Sequence, residues 1–214
     1  MHQDSAKTKR DFNKAAASWD TGPRVKLAGD IARAIQEDVS LSPEMDLLDF
    51  GCGTGLLALN LQPYVRTVTG VDSAQGMLDV MCEKIRALKI PGVKARYLDI
   101  EKGDRIEGQY HLVVSSMSLH HIREIRPLLE QLYKVLAPSG RIAIADLDLD
   151  EGEFHEDHTG VFHDGFDRSE LRQAIAGAGF DEIRDRTAAV MAKPVDNKQI
   201  REFTIFLVTA RKSG

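Results

Sequence analysis

Three glycines at alternate positions, Gly51, Gly53 and Gly55, follow a short apolar run and precede a helix-like stretch. Glycine has no Cβ, so the backbone of such a turn can approach a ligand closely, and the following helix start favours anionic groups. A dinucleotide fingerprint requires G-x-G-x-x-G, but the third glycine arrives one position early and Leu56 stands in its place. The spacing therefore disfavours a pyrophosphate ligand and a nicotinamide-dependent oxidoreductase.

Two carboxylates stand where the next two predicted strands end. Asp72 comes about 20 residues after the first glycine, where a carboxylate can accept hydrogen bonds from the hydroxyls of a ribose. Asp99 follows the third strand, where it can accept from an exocyclic amine such as that of adenine. Each acid alone is equally well explained as a turn or helix cap. Together with the glycine turn, they indicate a site for an adenosine without a pyrophosphate.

Alternating strands and helices must position these residues. Short apolar runs alternate with helix-like stretches, which favours a parallel sheet covered on both faces by helices, with ligands beyond the carboxyl ends of its strands. The last two strand-like runs are joined without a helix, which makes them antiparallel. The predicted strands are 46–50, 67–71, 94–98, 110–115, 141–147, 182–192 and 202–210, and the predicted helices are about 5–18, 24–38, 55–61, 74–88, 122–136 and 168–178.

Length and composition limit the class of protein. The chain has 214 residues, of which 43% are hydrophobic and 29% charged, with a formal net charge of −5, which excludes a fibrous, collagen-like or wholly disordered chain. Two cysteines, Cys52 and Cys82, cannot support a disulfide framework. Neither a signal-peptide core nor a membrane-spanning run is visible. We therefore expect a single-domain cytoplasmic protein that does not insert into membranes.

The sequence also resembles a known family. Residues 47–55 read Leu-Leu-Asp-Phe-Gly-Cys-Gly-Thr-Gly, which is similar to the first motif of the class I S-adenosylmethionine-dependent methyltransferases. Asp72, Asp99, the segments 112–121 and 136–141, and the final strand pair follow in that family's order. Residues 12–20 resemble the N-terminal helix that closes over the cofactor in many members. The small-molecule subgroup, of the type 11/12 kind and including quinone-pathway and biotin-pathway enzymes, looks most similar.

The resemblance implies a fold and a division of the chain. The fold is a single three-layer αβα domain with a mostly parallel seven-stranded sheet and an antiparallel final strand. Within it, 1–40 would be an N-terminal helical cap and 41–148 the cofactor-binding core. Residues 149–167 would be a substrate lid, and 168–214 the C-terminal helix and antiparallel strand pair.

The resemblance further implies that S-adenosylmethionine is the cofactor and S-adenosylhomocysteine its product. Asp49 would lie near the amino group of the cofactor, Asp72 would hold the ribose and Asp99 the adenine amine. Ser115 would place its carbonyl near the amino group as well. The other residues assigned to the cofactor are Trp19, Gly51, Cys52, Gly53 and Gly55, together with Ser73, Met77 and Ile100, which flank the adenine.

Methyl transfer from a sulfonium is an in-line displacement with an activated leaving group, so the protein mainly aligns the nucleophile and excludes water. A hydroxyl, acidic carbon or ammonium acceptor also needs a base, and His120 and His121 follow the fourth strand. Relatives often carry a Leu-His pair here that matches Leu119-His120, which favours His120 as a catalytic residue. The alternative is a histidine at a helix start that bonds to backbone.

Residues 150–167 follow the fifth strand, where this family often inserts a lid. Three phenylalanines of the segment could form an apolar pocket wall and three of its histidines could supply a base, His163 being the second catalytic candidate. A metal held by these histidines with Asp157 is disfavoured against a solvated loop, so no metal is expected. The residues in question are Phe154, Phe162, Phe166, His155, His158 and His163.

The signatures of other methyltransferase classes are missing. Residues 115–118, Ser-Ser-Met-Ser, replace the Asp/Asn-Pro-Pro-aromatic motif of nucleobase and glutamine methyltransferases. Only Glu124 is available where arginine methyltransferases carry two glutamates, and no acid follows the fourth strand to bind magnesium as in the catechol type.

Residues 146–170 contain ten acidic residues and one basic residue. Such a field opposes nucleic acid and favours neutral or cationic acceptors, unless the segment is simply a solvated acidic loop. The sequence therefore predicts methyl transfer to a small neutral or cationic metabolite, with neither nucleic acid nor membrane as a partner. A protein or peptide substrate, and a non-catalytic protein that binds cofactor or a partner, stay open as alternatives.

Overall fold

The computed structural model describes residues 11–195 and 199–213, and all bounds below refer to this part of the chain. The predicted helix over 5–18 lies partly outside it, and its described part forms α1 and a 3-10 turn at Ala16–Ser18. The helices are α1 (Phe12–Ala15), α2 (Gly22–Asp38), α3 (Leu56–Leu61), α4 (Gln75–Ala87), α5 (Ile125–Val135) and α6 (Arg168–Gly177). The strands are β1 (Asp46–Phe50), β2 (Thr67–Asp72), β3 (Val93–Tyr97), β4 (Tyr110–Ser116), β5 (Leu136–Leu147), β6 (Phe180–Pro194) and β7 (Ile200–Lys212).

The described strands form a seven-stranded sheet in the order β3-β2-β1-β4-β5-β7-β6. Strand β1 lies near the centre and pairs in parallel with β2 and β4, so that Leu47 stands beside Val68 on one side and Leu112 on the other. Strand β7 runs antiparallel between β5 and β6. The predicted fold class, a mostly parallel sheet with an antiparallel final strand, is confirmed.

Helices cover both faces of the sheet, and alternate residues of β1 contact the two layers. Leu47 belongs to a core shared with α2, α3 and α4, while Leu48 belongs to a core shared with α5 and α6. Both leucines are fully buried, as expected for a central parallel strand covered on both faces. No helix of the described residues is long and apolar enough to cross a membrane.

Three strands, β5, β6 and β7, are longer than the sequence predicts by four or five residues. Strand β5 begins at Leu136, which pairs with Tyr110 before a register shift brings Arg141 opposite Leu112. Strands β6 and β7 pair from Phe180 with Lys212 to Pro194 with Ile200. These extensions contain polar residues, so they lack the apolar pattern that marks a strand in the sequence. The far end of β6 reaches the cavity described below.

The segment 148–167 has no regular secondary structure but is fixed to the sheet. The Phe166 amide donates to the Leu147 carbonyl at 2.9 Å, and the Leu149 amide donates to the Phe166 carbonyl at 3.0 Å. Arg168 holds both carboxylate oxygens of Asp148 at 2.6 Å. Gly165 passes so close to residues 148–149 that a Cβ would lie 2.9 Å from the Leu149 Cα and overlap the Asp148 carbonyl.

We expect Gly165→Ala to lower the free energy of unfolding by about 3 kcal/mol, because it combines a positive φ of 81° with a backbone clash. Gly103→Ala is the matched control, since Gly103 has a φ of 93° but a Cβ there would meet nothing within 4 Å, and it should cost about 1 kcal/mol. Urea denaturation of both variants measures the difference. Equal losses would show that the segment does not pack as described.

Candidate functional site

A cavity of about 740 Å³ opens at the carboxyl ends of β1, β2 and β4. Its floor is made by the turns after these strands, and its walls come from the N-terminal segment, from residues 154–160 and from the end of β6. The residues predicted for the site therefore converge from distant parts of the chain. Those that line the cavity are Trp19, Asp49, Gly51, Cys52, Gly53, Asp72, Ser73, Met77, Asp99, Ile100 and His120.

The glycine turn closes the floor. The amides of Gly51 and Cys52 donate to the Val71 carbonyl at 2.9 and 3.0 Å. Gly53 has a φ of 53°, and a Cβ there would meet nothing within 4 Å, so the turn leaves open space at this residue. Burial raises the pKa of the Cys52 thiol well above its ordinary value. This cysteine is therefore a neutral wall residue rather than a nucleophile.

Asp49 lies at the bottom of the cavity and is 1% exposed. Its Oδ2 atom is buried without a hydrogen-bond partner in the described part of the chain. Burial, followed by the charge of Asp72, raises the pKa of Asp49 to about 7, against the opposing effect of a hydrogen bond from the Ala58 backbone. A cation placed beside this oxygen would restore its ionisation, because it would replace the lost solvation.

The other two predicted acids each cap local backbone and line the cavity. Asp72 accepts from the amides of Gly53 and Ala74, both at 2.8 Å. Asp99 is 3% exposed and accepts from the Glu101 amide at 3.2 Å. Asp72 and Asp99 therefore accept hydrogen bonds from backbone amides, as turn or helix caps do, and also line the cavity.

His120 is held by a carboxylate that the sequence does not identify as part of the site. Its Nδ1 lies 2.6 Å from Asp146 Oδ1, and the two side chains are 2% and 0% exposed. Burial alone would raise the pKa of Asp146, but the charge and hydrogen bond of His120 and the Leu147 amide hold it below its ordinary value. An ionised Asp146 accepts a hydrogen bond from the Nδ1–H group, which leaves Nε2 as the basic nitrogen.

Two further imidazoles lie beside His120. The ring centroids of His121 and His155 are 4.1 and 4.9 Å from that of His120. His121 is fixed through Nδ1, which lies 2.7 Å from the Gly160 carbonyl. All three histidines line the cavity, so the segment 148–167 reaches it through His155.

Some predicted residues lie outside the cavity lining. Gly55 is the N-cap of α3, and a Cβ there would meet Met81 Cγ at 2.8 Å, so this glycine allows close packing. The Ser115 side chain is fully buried and donates to the Phe50 carbonyl at 2.9 Å, while residues 116–118 line the cavity instead.

His163 also lies away from the cavity lining. Its Nε2 is 2.9 Å from the Ile122 carbonyl, and its ring packs against Phe166 at 5.0 Å between centroids. Of the three phenylalanines predicted to form a pocket wall, Phe154 lines the cavity. Phe162 instead lies under the Arg123 guanidinium, and Phe166 packs on Phe206. The segment therefore supplies one wall phenylalanine, Phe154, and one of the three candidate histidines, His155, to the cavity lining.

Sequence reasoning also missed a contact between the N-terminal segment and the glycine turn. Asp20 accepts from the Thr54 hydroxyl at 2.5 Å and pairs with Lys84, whose ammonium donates to the Thr54 carbonyl at 2.8 Å. Asp20 directly follows the lining residue Trp19. No local sequence pattern pairs residues as far apart as Asp20 and Thr54. By contrast, the sequence does offer a signal for Asp146, because this residue is an acid near a strand end, as Asp72 is.

Several acidic residues of 146–170 form ion pairs or hydrogen bonds that hold the fold together. Glu156 and Asp157 line the cavity, as do the basic residues Arg24 and Lys193. Four others hold parts of the fold together: Asp146 holds His120, Asp148 binds Arg168, Glu153 pairs with Arg201, and Asp167 caps α6. Of the ten acidic residues of the segment, four therefore hold parts of the fold and two line the cavity, so the charge counted along the chain does not by itself set an electrostatic choice of acceptor.

Within residues 11–195 and 199–213, no group of three or more His, Cys, Asp or Glu side chains is arranged to hold a metal ion. The His155, Asp157 and His158 side chains accordingly do not converge as a ligand set.

Comparison with known proteins relates this chain to methyltransferases. Residues 47–140 match a family model described as a methyltransferase domain. An uncharacterized methyltransferase of Schizosaccharomyces pombe is 38% identical over 135 residues, which cover 56% of this chain and 48% of the relative. A malonyl-[acyl-carrier protein] O-methyltransferase of Priestia megaterium is 27% identical over 160 residues, covering 72% and 56%. The chain spans about half the length of these curated relatives.

Solved structures share the fold at low sequence identity. The YcgJ protein from Bacillus subtilis superposes with a TM-score of 0.71 at 16% identity, covering 86% of this chain and 98% of that one. Phosphoethanolamine N-methyltransferase 2 of Haemonchus contortus, solved with S-adenosylmethionine, gives 0.71 at 17% identity, covering 96% and 60%.

The raised pKa of Asp49 predicts an unusual dependence of stability on pH. Its folded pKa of about 7 exceeds the ordinary 3.8, so the folded state binds more protons between these values and its stability falls as pH rises through them. Relative to its effect at pH 4, Asp49→Asn should raise the free energy of unfolding of the ligand-free protein at pH 8 by about 4 kcal/mol. Chemical denaturation at both pH values measures it.

Asp46→Asn, on the same strand, is the control, and it should change the free energy of unfolding at pH 8 in the opposite direction. The hydrogen bond from Arg66 holds the pKa of Asp46 at about 2, so its ionised form stabilises the fold above pH 3.8 and the variant should lose stability at pH 8. A destabilised Asp49→Asn at pH 8 would show that the Asp49 carboxylate is well solvated or paired.

Proposed function

Because this chain carries a methyltransferase domain with the class I, S-adenosylmethionine-dependent fold, we propose that it transfers a methyl group from S-adenosylmethionine to a small acceptor that loses a proton. The observation that carries this proposal is a cavity that holds both the buried, unpartnered oxygen of Asp49 and the His120–Asp146 pair. The first feature fits a cationic group, and the second fits removal of a proton.

The residues present fit the cofactor. Asp49 would pair with its ammonium group, which supplies the cation that the buried Oδ2 lacks. Asp72 and Asp99 would accept hydrogen bonds from the ribose hydroxyls and the adenine amine, and Gly53 leaves room for close approach of the methionine part. When bound, S-adenosylmethionine supplies a methyl group on a positively charged sulfur, so no acid is needed to assist the leaving group.

His120 would act as the general base. Asp146 keeps the proton on Nδ1 and fixes the plane of the ring, so Nε2 can accept the proton of the acceptor. Because the Asp146 carboxylate is buried beside it, the imidazolium that forms is stabilised without solvent. A base of this kind is needed by an acceptor that must lose a proton and is superfluous for a carboxylate already ionised.

The relatives do not decide the acceptor. Their names specify O-methylation of malonyl-[acyl-carrier protein] in one case and N-methylation of phosphoethanolamine in another. We therefore base the acceptor class on the residues of this cavity. A protein or peptide acceptor and cofactor binding without turnover are outcomes that the following measurements separate.

Calorimetric titration tests the cofactor assignment. We expect S-adenosylhomocysteine to bind, NAD not to bind, and Asp49→Asn to weaken S-adenosylhomocysteine binding at pH 8 by about tenfold or more, because a charge-assisted contact is lost. Asp46→Asn, whose carboxylate pairs with Arg66 at the other end of β1, should bind as the wild type does. Tight NAD binding without binding of S-adenosylhomocysteine would overturn the proposed function.

Labelled-methyl transfer tests catalysis. Incubation with methyl-labelled cofactor and a small-molecule extract of the source cell, followed by mass spectrometry, should yield a labelled product of low mass. His120→Ala should slow its formation by about 10²–10⁴-fold with unchanged S-adenosylhomocysteine affinity. His163→Ala should retain the activity, because its imidazole is held by the Ile122 carbonyl and does not line the cavity. Equal losses in both variants would contradict the role of His120.

A further inference from the structure

Six aromatic rings from three separate stretches of chain contact one another in series along the cavity. We call them the ring wall, which consists of Trp19, Phe12, His121, His120, His155 and Phe154. The successive distances between ring centroids are 5.8, 5.0, 4.1, 4.9 and 4.9 Å. The cavity beside the proposed base is therefore bounded by aromatic surface.

We propose that the ring wall is the acceptor site, that it takes a planar aromatic compound bearing a hydroxyl group, and that His155 is an acceptor-binding residue. This inference rests on the proposed function, because His120 is the base that removes the hydroxyl proton. It narrows the acceptor from any small molecule with a proton to lose to a phenol.

The packing of the ring wall favours another aromatic ring. Three of its contacts are edge-to-face, with interplanar angles of 79°, 74° and 79°. Aromatic rings attract one another in this geometry and in offset stacks, because ring edges and faces carry opposite partial charges. A planar aromatic acceptor can continue the series, whereas a saturated ring of the same size offers no such face. The wall therefore discriminates by aromaticity as well as by shape.

The proton chemistry points to the same class. A phenol has a pKa of about 10, as tyrosine does, whereas an aliphatic hydroxyl lies closer to water at about 15.7. A neutral imidazole therefore removes the proton of a phenol far more readily. The hydroxyl proton passes to His120 Nε2, and an electron pair of the oxygen forms the bond to the methyl carbon. The carbon–sulfur bond breaks with its electrons staying on sulfur, giving an aryl methyl ether, S-adenosylhomocysteine and a protonated imidazole.

A cationic acceptor is disfavoured by the same rings. The Arg24 guanidinium lies 4.0 Å from the centroid of Trp19, and the Lys193 ammonium 4.2 Å from that of Phe154. An ammonium acceptor seated on the wall by cation–π attraction would compete with these side chains and be repelled by them. Of the neutral and cationic acceptors expected from the acidic segment, the proposal therefore keeps only the neutral ones.

His155 joins the segment 148–167 to the base. Its ring lies between those of His120 and Phe154, each at 4.9 Å. The Phe154 carbonyl accepts from Lys193 on β6, and Asp150 accepts from the Phe154 amide at 2.9 Å, so the backbone before His155 is held from two sides. The position of this imidazole beside His120 is thus fixed by the fold.

Two ligands of equal skeleton test the proposal by calorimetry on the protein saturated with S-adenosylhomocysteine. The probes are 2-naphthol and its saturated counterpart decahydro-2-naphthol. We expect 2-naphthol to bind at least about tenfold more tightly, which corresponds to one or two aromatic contacts. Equal or reversed affinities would overturn the aromatic acceptor site. Failure of S-adenosylhomocysteine itself to bind is a distinct result, which would overturn the proposed function.

Variants of His155 test whether its ring contacts the aromatic acceptor. His155→Ala should weaken 2-naphthol binding about tenfold, and His155→Phe, which keeps a ring, should stay within about threefold of the wild type. His158→Ala is the matched control, because this neighbouring histidine has a half-exposed side chain and lies outside the ring wall. Unchanged melting temperatures and S-adenosylhomocysteine affinity would show that the variants are folded. A His155→Ala protein that binds 2-naphthol as well as the wild type would contradict the role of His155.

Discussion

The site depends on the carboxyl group of Asp49, which is buried although its Oδ2 atom has no hydrogen-bond partner within the described part of the chain. Asp49 follows two fully buried leucines on a central strand, so the sheet carries its side chain to the bottom of the cavity, where it is 1% exposed. A carboxylate in such a place is costly unless a cation or hydrogen-bond donors reach it. We therefore propose that a cationic group of the ligand, rather than a residue of the protein, pairs with this carboxylate.

The sheet brings two kinds of chemistry to one edge. Acids stand near the ends of β1, β2 and β3, and an imidazole follows β4 and is held by Asp146 near the end of β5. Because these strands are parallel, all five carboxyl ends face the same edge of the sheet. The order of the strands therefore separates Asp49, the proposed cofactor-binding group, from His120, the proposed proton acceptor, while both line one cavity. The segment after β5 then adds His155 to the lining of the same cavity.

Local patterns predict those parts of the site that depend on a single strand end. The glycine turn, Asp72 and Asp99 each need only a buried run and the residue after it. The prediction for Ser115 concerns its backbone carbonyl and stays a prediction, while its hydroxyl donates to the Phe50 carbonyl. The antiparallel direction of β7 follows from the absence of a helix before it.

Other features need the folded chain. His163 and His155 are equally plausible bases in the sequence, and the choice is made by backbone contacts that turn the His163 ring to the Ile122 carbonyl. The ring wall joins residues more than a hundred positions apart, so no periodicity marks it. The acidity of the segment is visible in the composition, but its ion pairs with Arg168 and Arg201 are not. Charge counted along the chain therefore describes the scaffold more than the acceptor.

The central claim is that Asp49 acquires its cation from the cofactor, and proton release on binding tests it most directly. Calorimetric titration with S-adenosylhomocysteine at pH 6.5, in two buffers with different ionisation enthalpies, counts the protons exchanged. Since the pKa of Asp49 is about 7 in the free protein, binding should release between about half and one proton per site, and Asp49→Asn should abolish that release. Binding without proton release, or with proton uptake, would contradict the account.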